Sequence, residues 1–327
     1  MQAEDQRIQS GQNQVLWQAI VNPNAGTHKG RRDWPLINRL LLKKKILFEV
    51  FLTGGPLDAE RIVAERLATG ATHFLVIGGD GTLNEVINGI FKTIRSSADE
   101  IVLAMIPVGT GNDWCRTFKI PFSYREAIEL LSNGQQVSQD VGVVSYQQDG
   151  ALLSRFFVNV TGIGYDAVVA QKVNRSKQKG VGGPLMYLYM LLTSLFEYRI
   201  NPIVLKADGN QISGKIFSVS VGIGKYNGGG IMQLPEAIPD DGLLNVTIIG
   251  AVSKWTVIGQ LKNLYNGTFV NHKAIKTLVA KEVEIDAVPP LAVESDGESL
   301  GQTPLKIKIH SKKLNVIAGT KFTAFND

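Results

Sequence analysis

The 327-residue chain has a single cysteine, Cys115, so no internal disulfide can form and a cysteine-based zinc cage is excluded. A reduced, cytoplasmic setting is the expectation. Long hydrophobic runs are missing too. The longest apolar stretch, Pro184 to Phe196, falls short of the roughly 20 residues a spanning helix needs. Met1 to Gln14 are polar and hold no apolar segment of the kind a secretory signal requires. The chain shows no internal repeat, no low-complexity tract and no basic-aromatic module, so no nucleic-acid partner is expected. With 44% hydrophobic and 19% charged residues, it is too apolar for a disordered chain and reads as globular.

The length suits two domains of roughly 150 residues, each able to bury a core. The 34 basic and 29 acidic side chains leave a net charge of +5, and its location tells more than its size. Residues 1–140 hold 15 basic and 15 acidic groups, whereas residues 141–327 hold 19 and 14. A basic surface on the later part would suit phosphate or anionic lipid, although an excess this small is also common on bland surfaces.

Residues 1–135 alternate apolar runs with helical patterns, as expected for parallel strands joined by crossover helices. Strands are predicted at Trp17–Val21, Leu47–Leu52, Phe74–Ile77 and Ile101–Ile106, with helices at Trp34–Leu42, Leu57–Leu67 and Leu83–Ile94. Each strand runs into a loop rich in Gly, Asn, Asp or Thr: NPNAGT, TGG, GGDGT and PVGTGND. In open α/β sheets ligands bind beyond the carboxyl ends of strands, so these loops should converge on one site. After Gly134 short β-branched runs recur, at Phe156–Thr161, Ile203–Lys206, Phe217–Val221, Leu244–Ile249, Val283–Ile285 and Leu305–Ile309, with a hairpin turn at Asp208-Gly209-Asn210. This part reads as antiparallel β, interrupted by helices near Leu185–Tyr198 and Lys254–Tyr265.

The sharpest local signal is Gly78-Gly79-Asp80-Gly81-Thr82-Leu83-Asn84-Glu85, which follows a strand and opens a helix. Glycines let the backbone approach phosphate oxygens, and successive N–H groups at a helix N-terminus make an anion site. The segment is neither a Walker A loop nor GxGxxG, and a plain strand-to-helix turn capped by Asp80 or Thr82 is the competing reading. Pro107-Val108-Gly109-Thr110-Gly111-Asn112-Asp113 repeats the pattern after the next strand.

Together GGDGTLNEV and PVGTGND resemble the diacylglycerol kinase catalytic-domain family, to which soluble bacterial lipid kinases, sphingosine kinases and ceramide kinases belong. Asn22-Pro23-Asn24-Ala25-Gly26, Gly162-Ile163-Gly164-Tyr165-Asp166, Pro239-Asp240-Asp241-Gly242-Leu243-Leu244 and Asp296-Gly297-Glu298 follow in family order, so the likeness spans about residues 15–310. It implies an α/β nucleotide domain like that of NAD kinase and phosphofructokinase, a larger β-rich domain, and an active site in the cleft between them. The division is placed at 1–137 and 138–312, with 313–327 a candidate to rejoin the first domain.

By matched position, Asn22, Thr53, Gly78, Gly79, Asp80, Gly81, Thr82, Leu83, Asn84, Thr110, Gly111 and Asn112 would hold ATP. The resemblance places magnesium at the Asp-Asp-Gly turn, on the Asp241 carboxylate and the carbonyls of Ile238 and Leu243. It implies γ-phosphoryl transfer to a lipid hydroxyl, with the base at Glu298 or Asp296 and Asp80 managing metal and phosphate. The Asp296-Gly297-Glu298 segment is also expected to be a hairpin turn.

Lys172, Arg175, Lys177 and Lys179 lead through Gly180–Gly183 into the apolar 185–196 segment. They are a candidate peripheral contact with the inner face of the cell membrane, where the lipid is presented; the plainer reading is a core helix behind a solvated loop. NAD kinase, which also carries GGDGT, and a catalytically silent binder are the competing functions. Homo-oligomerisation stays open.

Overall fold

The computed structural model of the protein describes residues 15–94, 100–178 and 184–322. Met1–Gln14, Lys179, Gly180–Gly183 and the end of the 313–327 segment lie outside the described residues.

The first domain runs β1 (Leu16–Val21), α1 (Ala25–Lys43), β2 (Leu47–Leu52), α2 (Asp58–Ala68), β3 (His73–Gly78), α3 (Asp80–Thr93), β4 (Val102–Pro107), α4 (Asp113–Thr117), α5 (Tyr124–Asn133) and β5 (Gln135–Gln139). The second runs β6 (Gly142–Gln148), β7 (Ala151–Phe157), β8 (Val160–Gly164), α6 (Tyr165–Gln178), α7 (Pro184–Glu197), β9 (Asn201–Ala207), β10 (Asn210–Gly222), β11 (Leu244–Gly250), α8 (Lys254–Asn266), β12 (Ile275–Ala280), β13 (Glu282–Ala287), β14 (Ala292–Ser295) and β15 (Glu298–Ile309), before β16 (Leu314–Ala318).

One six-stranded sheet has the order β2-β1-β3-β4-β16-β5. β1 to β4 and β16 are parallel, and only β5 runs against its neighbour. The apolar runs of β3 and β4 lie between helices, which is why they read as continuous hydrophobic segments rather than alternating ones. β16 comes from the far end of the chain to fill the place between β4 and β5, so two chain crossings tie the domains together.

The second sheet nearly closes on itself. The 13-residue β10 pairs through its first half with β9 and through its second half with both β8 and β11, so β10-β8-β14-β15-β13-β9 form a ring. Its interior is a separate apolar core that includes Ile163, Val219, Val221, Ile285, Val293 and Ile307. The ring removes sheet edges that would otherwise be open to pairing.

The structure divides the single strand expected at Phe156–Thr161 into β7 and β8. The amides of Val158, Asn159 and Val160 turn out of the ladder and donate to the Asp296 carboxylate at 2.9, 3.0 and 3.2 Å. A side chain replaces the neighbouring strand as acceptor, and regular pairing stops there.

Candidate active site

The four glycine-bearing loops do converge. α3 starts on extended Gly79, with no side chain capping it, and its first backbone bond is Leu83 N–H to Gly79 carbonyl at 3.0 Å. The preceding N–H groups of its first turn have no helical acceptor and point out of the helix end. The loop after β4 packs against this turn with no room for side chains. A Cβ on Gly109 would stand 2.5 Å from the Gly79 Cα, and Val108 and Gly109 both donate to the Gly78 carbonyl, at 2.8 and 3.0 Å. From the β1 loop, Asn22 Nδ2 donates to Thr82 Oγ1 at 2.8 Å. Just beyond that loop the first turn of α1 is interrupted by three consecutive left-handed residues, Gly26, Thr27 and His28, with φ of 60°, 58° and 66°. For β-branched Thr27 this is a strained conformation, of the kind that collects at ligand clamps.

Asp80 accepts from Trp114 N–H at 3.3 Å. A Cβ on Gly111 would lie 3.1 Å from Asp80 Oδ2 and 3.3 Å from Asp113 Oδ2, so two carboxylates flank one glycine. Asp113 reaches across to the second domain, accepting from Gly229 and Gly230 N–H at 2.7 and 2.6 Å. Burial and the neighbouring Asp80 push it up to about 7. α3 is bolted to the second domain farther along: Asn88 Oδ1 accepts from Phe156 N–H at 3.1 Å while its Nδ2 donates to the Phe156 carbonyl at 3.0 Å, completing one strand position with a side chain.

The β14–β15 hairpin brings the second domain's carboxylates over the start of α3. Its two-residue turn is Asp296-Gly297, both left-handed at φ 50° and 82°, a conformation suited to Asp-Gly. Asp296 is 5% exposed and accepts from three backbone amides and, at 2.9 Å, from Asn84 Nδ2. Burial, which outweighs these bonds, holds its carboxyl at about 6. Glu298 faces the phosphate loop: a Cβ on Gly81 would stand 2.6 Å from its Oε1. Glu294, 1% exposed, accepts from Asn227 Nδ2 at 2.6 Å and Gly297 N–H at 3.0 Å, and burial next to Asp166 raises it to about 8.

These groups line an interdomain cleft of about 830 Å³. Of the expected residues, Asn22, Thr53, Gly79, Asp80, Gly81, Thr82, Thr110, Gly111, Asp296 and Glu298 are on its wall. Gly78, Leu83, Asn84 and Asn112 are not. Gly78 lies beneath Thr82, Leu83 is core at 1% exposure, Asn84 is committed to Asp296 and the Phe156 carbonyl, and Asn112 donates to the Gly109 carbonyl. Asp113, Arg116, Asp166, Asn227 and Glu294 were not anticipated as wall residues. Asp113 and Asp166 stood inside motifs already singled out, whereas Glu294 had no sequence signal.

The cleft wall is acidic. Seven carboxyl groups face it against one guanidinium, that of Arg116. A polyphosphate entering such a site needs a cation, and the Asp80–Asp113 pair is a hard-oxygen donor set that suits magnesium, which keeps several waters. Among the described residues no group of three His, Cys, Asp or Glu converges as a ready cage. Asp241, Ile238 and Leu243 are not brought to the cleft. Asp241 Oδ1 caps Leu243 N–H at 2.9 Å, and the adjacent Asp140 pairs with Lys313 at 3.1 Å. Asp240 Oδ1 is buried there without a hydrogen-bond partner, which leaves acceptor capacity for a cation.

A parallel sheet whose uncapped helix and glycine loops face a carboxylate hairpin across a cleft defines a phosphotransferase of the kinase class. Comparison with known proteins narrows this. Residues 17–144 match the diacylglycerol kinase catalytic domain, and residues 159–318 match the YegS C-terminal NAD kinase beta sandwich-like domain. A probable lipid kinase YegS-like from Pseudomonas putida is 30% identical over 272 residues, covering 83% of this chain and 85% of its own; one from Xanthomonas oryzae pv. oryzae is 29% identical over 306, covering 90% and 95%. The structure of a candidate diacylglycerol kinase from Bacillus anthracis superposes with a TM-score of 0.73 at 25% identity, covering 94% of this chain and 98% of the other. Yeast NADH kinase shares the fold at a TM-score of 0.52 and 12% identity, covering 94% and 85%. The chain belongs to the YegS-like lipid kinase family of diacylglycerol kinase catalytic-domain proteins. Among the described residues no helix is long and apolar enough to cross a membrane.

Proposed function

We propose that the protein transfers the γ-phosphoryl group of ATP to the hydroxyl of a lipid, working in the cytoplasm. The observation that carries the lipid half of this reading is a second, apolar cavity beside the polar cleft, with Asp166 and Gln233 on the walls of both. It lies between the β10–β11 face and α6, α7 and α8, lined by Leu191, Phe217, Ile231, Val257 and Leu264 among others. At about 60 Å³ it is too small for an acyl chain as it stands. Its cover, α8, has no fully buried residue, and is therefore the element that can yield.

In this reading the nucleotide phosphates sit on the first-turn amides of α3 and the Thr110–Gly111 turn, with Thr53 and Thr82 beside them. Magnesium, when bound, would neutralise the phosphate charge, with Asp80 and Asp113 as its holders. The Asp241 turn is proposed as a separate structural cation site through which no step runs. Glu298 takes the proton of the attacking hydroxyl. Asp296, its carboxylate saturated by four donors, fixes the hairpin on which Glu298 stands and is a positioning residue.

The test is transfer of labelled phosphate from ATP to diacylglycerol, sphingoid bases or phosphatidylglycerol, compared with NAD. Labelled lipid is expected; prominent NAD phosphorylation with no labelled lipid would sink the reading.

A further inference from the structure

Beyond the cleft, large apolar side chains stand bare where α7 meets α8. Trp255 is 76% exposed, Tyr189 60% and Phe196 55%. Tyr189 and Phe196 are seven residues apart on α7, two helical turns, and so share a face. Lys254 ties the two helices: its ammonium donates to the Phe196 carbonyl and lies 5.5 Å from the centre of the Phe196 ring. Trp255 is the next residue, so Trp255 and Phe196 belong to one corner. The domain does not need these rings for its own packing, because Leu191 and Leu195 already supply the buried face of α7. Trp and Tyr, with apolar bodies and polar tips, are the side chains that settle at a membrane–water interface.

The chain that carries α8 at this corner is basic. From Gly242 to Lys281 the chain contains five lysines and no Asp or Glu. The acid that ends α7, Glu197, is paired with Lys172 of α6 at 2.6 Å. A second copy of the chain would present the same positive surface and be repelled, whereas an anionic bilayer attracts it by about 1 kcal/mol for each lysine near the surface. The helices that carry the patch are also walls of the apolar cavity, which is lined by Leu191 of α7 and by Val257 and Leu264 of α8.

We propose that the α7–α8 corner docks on an anionic lipid bilayer through Trp255, Tyr189 and Phe196, with Lys254 and Lys262 against the head groups. Docking there sets the wall of the cavity against the membrane, so that a lipid chain passes beneath α8 without crossing water. This use of the surface rests on the lipid-kinase reading above, but the docking itself is measured without ATP.

The full chain is titrated with phosphatidylcholine vesicles, with and without phosphatidylglycerol. Of the other three tryptophans, Trp17 and Trp114 are buried at 4% and 1% exposure and Trp34 is half-buried against the core of the first domain, so a change in surroundings at the corner reports mainly through Trp255. A blue shift of the emission is expected with the anionic vesicles and is lost in Trp255→Phe. Co-sedimentation should fall about tenfold in Trp255→Ala combined with Tyr189→Ser, equivalent to about 1.4 kcal/mol, and also fall in Lys262→Glu. All three side chains are exposed, so folding is preserved, and turnover of a short-chain, water-dispersed diglyceride stays at wild type while turnover on vesicles drops. An absent blue shift, equal binding to neutral vesicles, or a shift that follows protein concentration without lipid would each overturn the proposal. A chain that docks but phosphorylates no lipid refutes the kinase reading alone.

Discussion

Asp296 and Glu298 are two residues apart, both acidic and both on the cleft wall, yet the proposed mechanism assigns them opposite tasks that a pair of isosteric substitutions separates. In Asp296→Asn the backbone conformation is kept, since Asn tolerates the left-handed φ of 50°. One carboxylate oxygen becomes an NH2 group facing two buried donors, either Val158 N–H with Asn84 Nδ2 or the Asn159 and Val160 amides. A buried donor left without an acceptor costs about 1–3 kcal/mol. Two give about 2–6 kcal/mol, reduced because the amide no longer carries a buried charge. A loss of about 3 kcal/mol should lower Tm by about 6–12 °C. Glu298→Gln breaks no such set of bonds and should leave Tm within about 1 °C, while removing a general base lowers turnover about 10²–10⁴-fold. The assays are thermal unfolding without ligands and phosphate transfer from labelled ATP. An Asp296→Asn protein as stable as wild type but inactive would make Asp296 the base and refute the hydrogen-bond argument. Full turnover in Glu298→Gln would refute the base assignment.

The buried carboxyls of Asp113, Asp296 and Glu294, raised to about 7, 6 and 8, bind protons more tightly folded than unfolded. Their ionisation therefore opposes folding, and Tm should fall as pH rises from about 5 to about 8; a Tm that rises through that window in thermal scans would contradict the burial of these groups. Gly109→Ala puts a methyl 2.5 Å from the Gly79 backbone. It should destabilise by about 1–3 kcal/mol and weaken ATP binding by calorimetry, whereas near-wild-type affinity would show the two loops free to separate. Val257→Trp fills the cavity beneath α8, so kcat/KM for long-chain diglycerides should drop more than for short-chain ones; an equal drop for both would deny that the cavity takes the chain.

How far the chain could be read in advance follows from where its information is local. The phosphate loops were legible because strand, glycines and helix lie within a dozen residues, and Asp208-Gly209 marked the β9–β10 hairpin for the same reason. β5 has no local signature because Gln135–Gln139 is a polar strand whose partner among the described residues, β16, lies more than 170 positions further along the chain. β14 is four residues long and is defined by neighbours, not by its own pattern.

Within the site the same distinction decides which contacts the sequence could show. Asp296 and Glu298 look alike in sequence, and what divides them is a set of amides 136 to 138 residues upstream. Those amides are available only because the chain breaks its strand at Val158, and the break exists only because the carboxylate is there to receive them. Neither half of that exchange leaves a local trace, and the apolar run at 156–161 even argues for an unbroken strand. Glu294 is a further case, since a lone glutamate near a turn is ordinary until Asn227 and Gly297 enclose it. The chemistry-bearing residue types were thus visible in the sequence, while how many donors hold each carboxylate is a property of the assembled cleft.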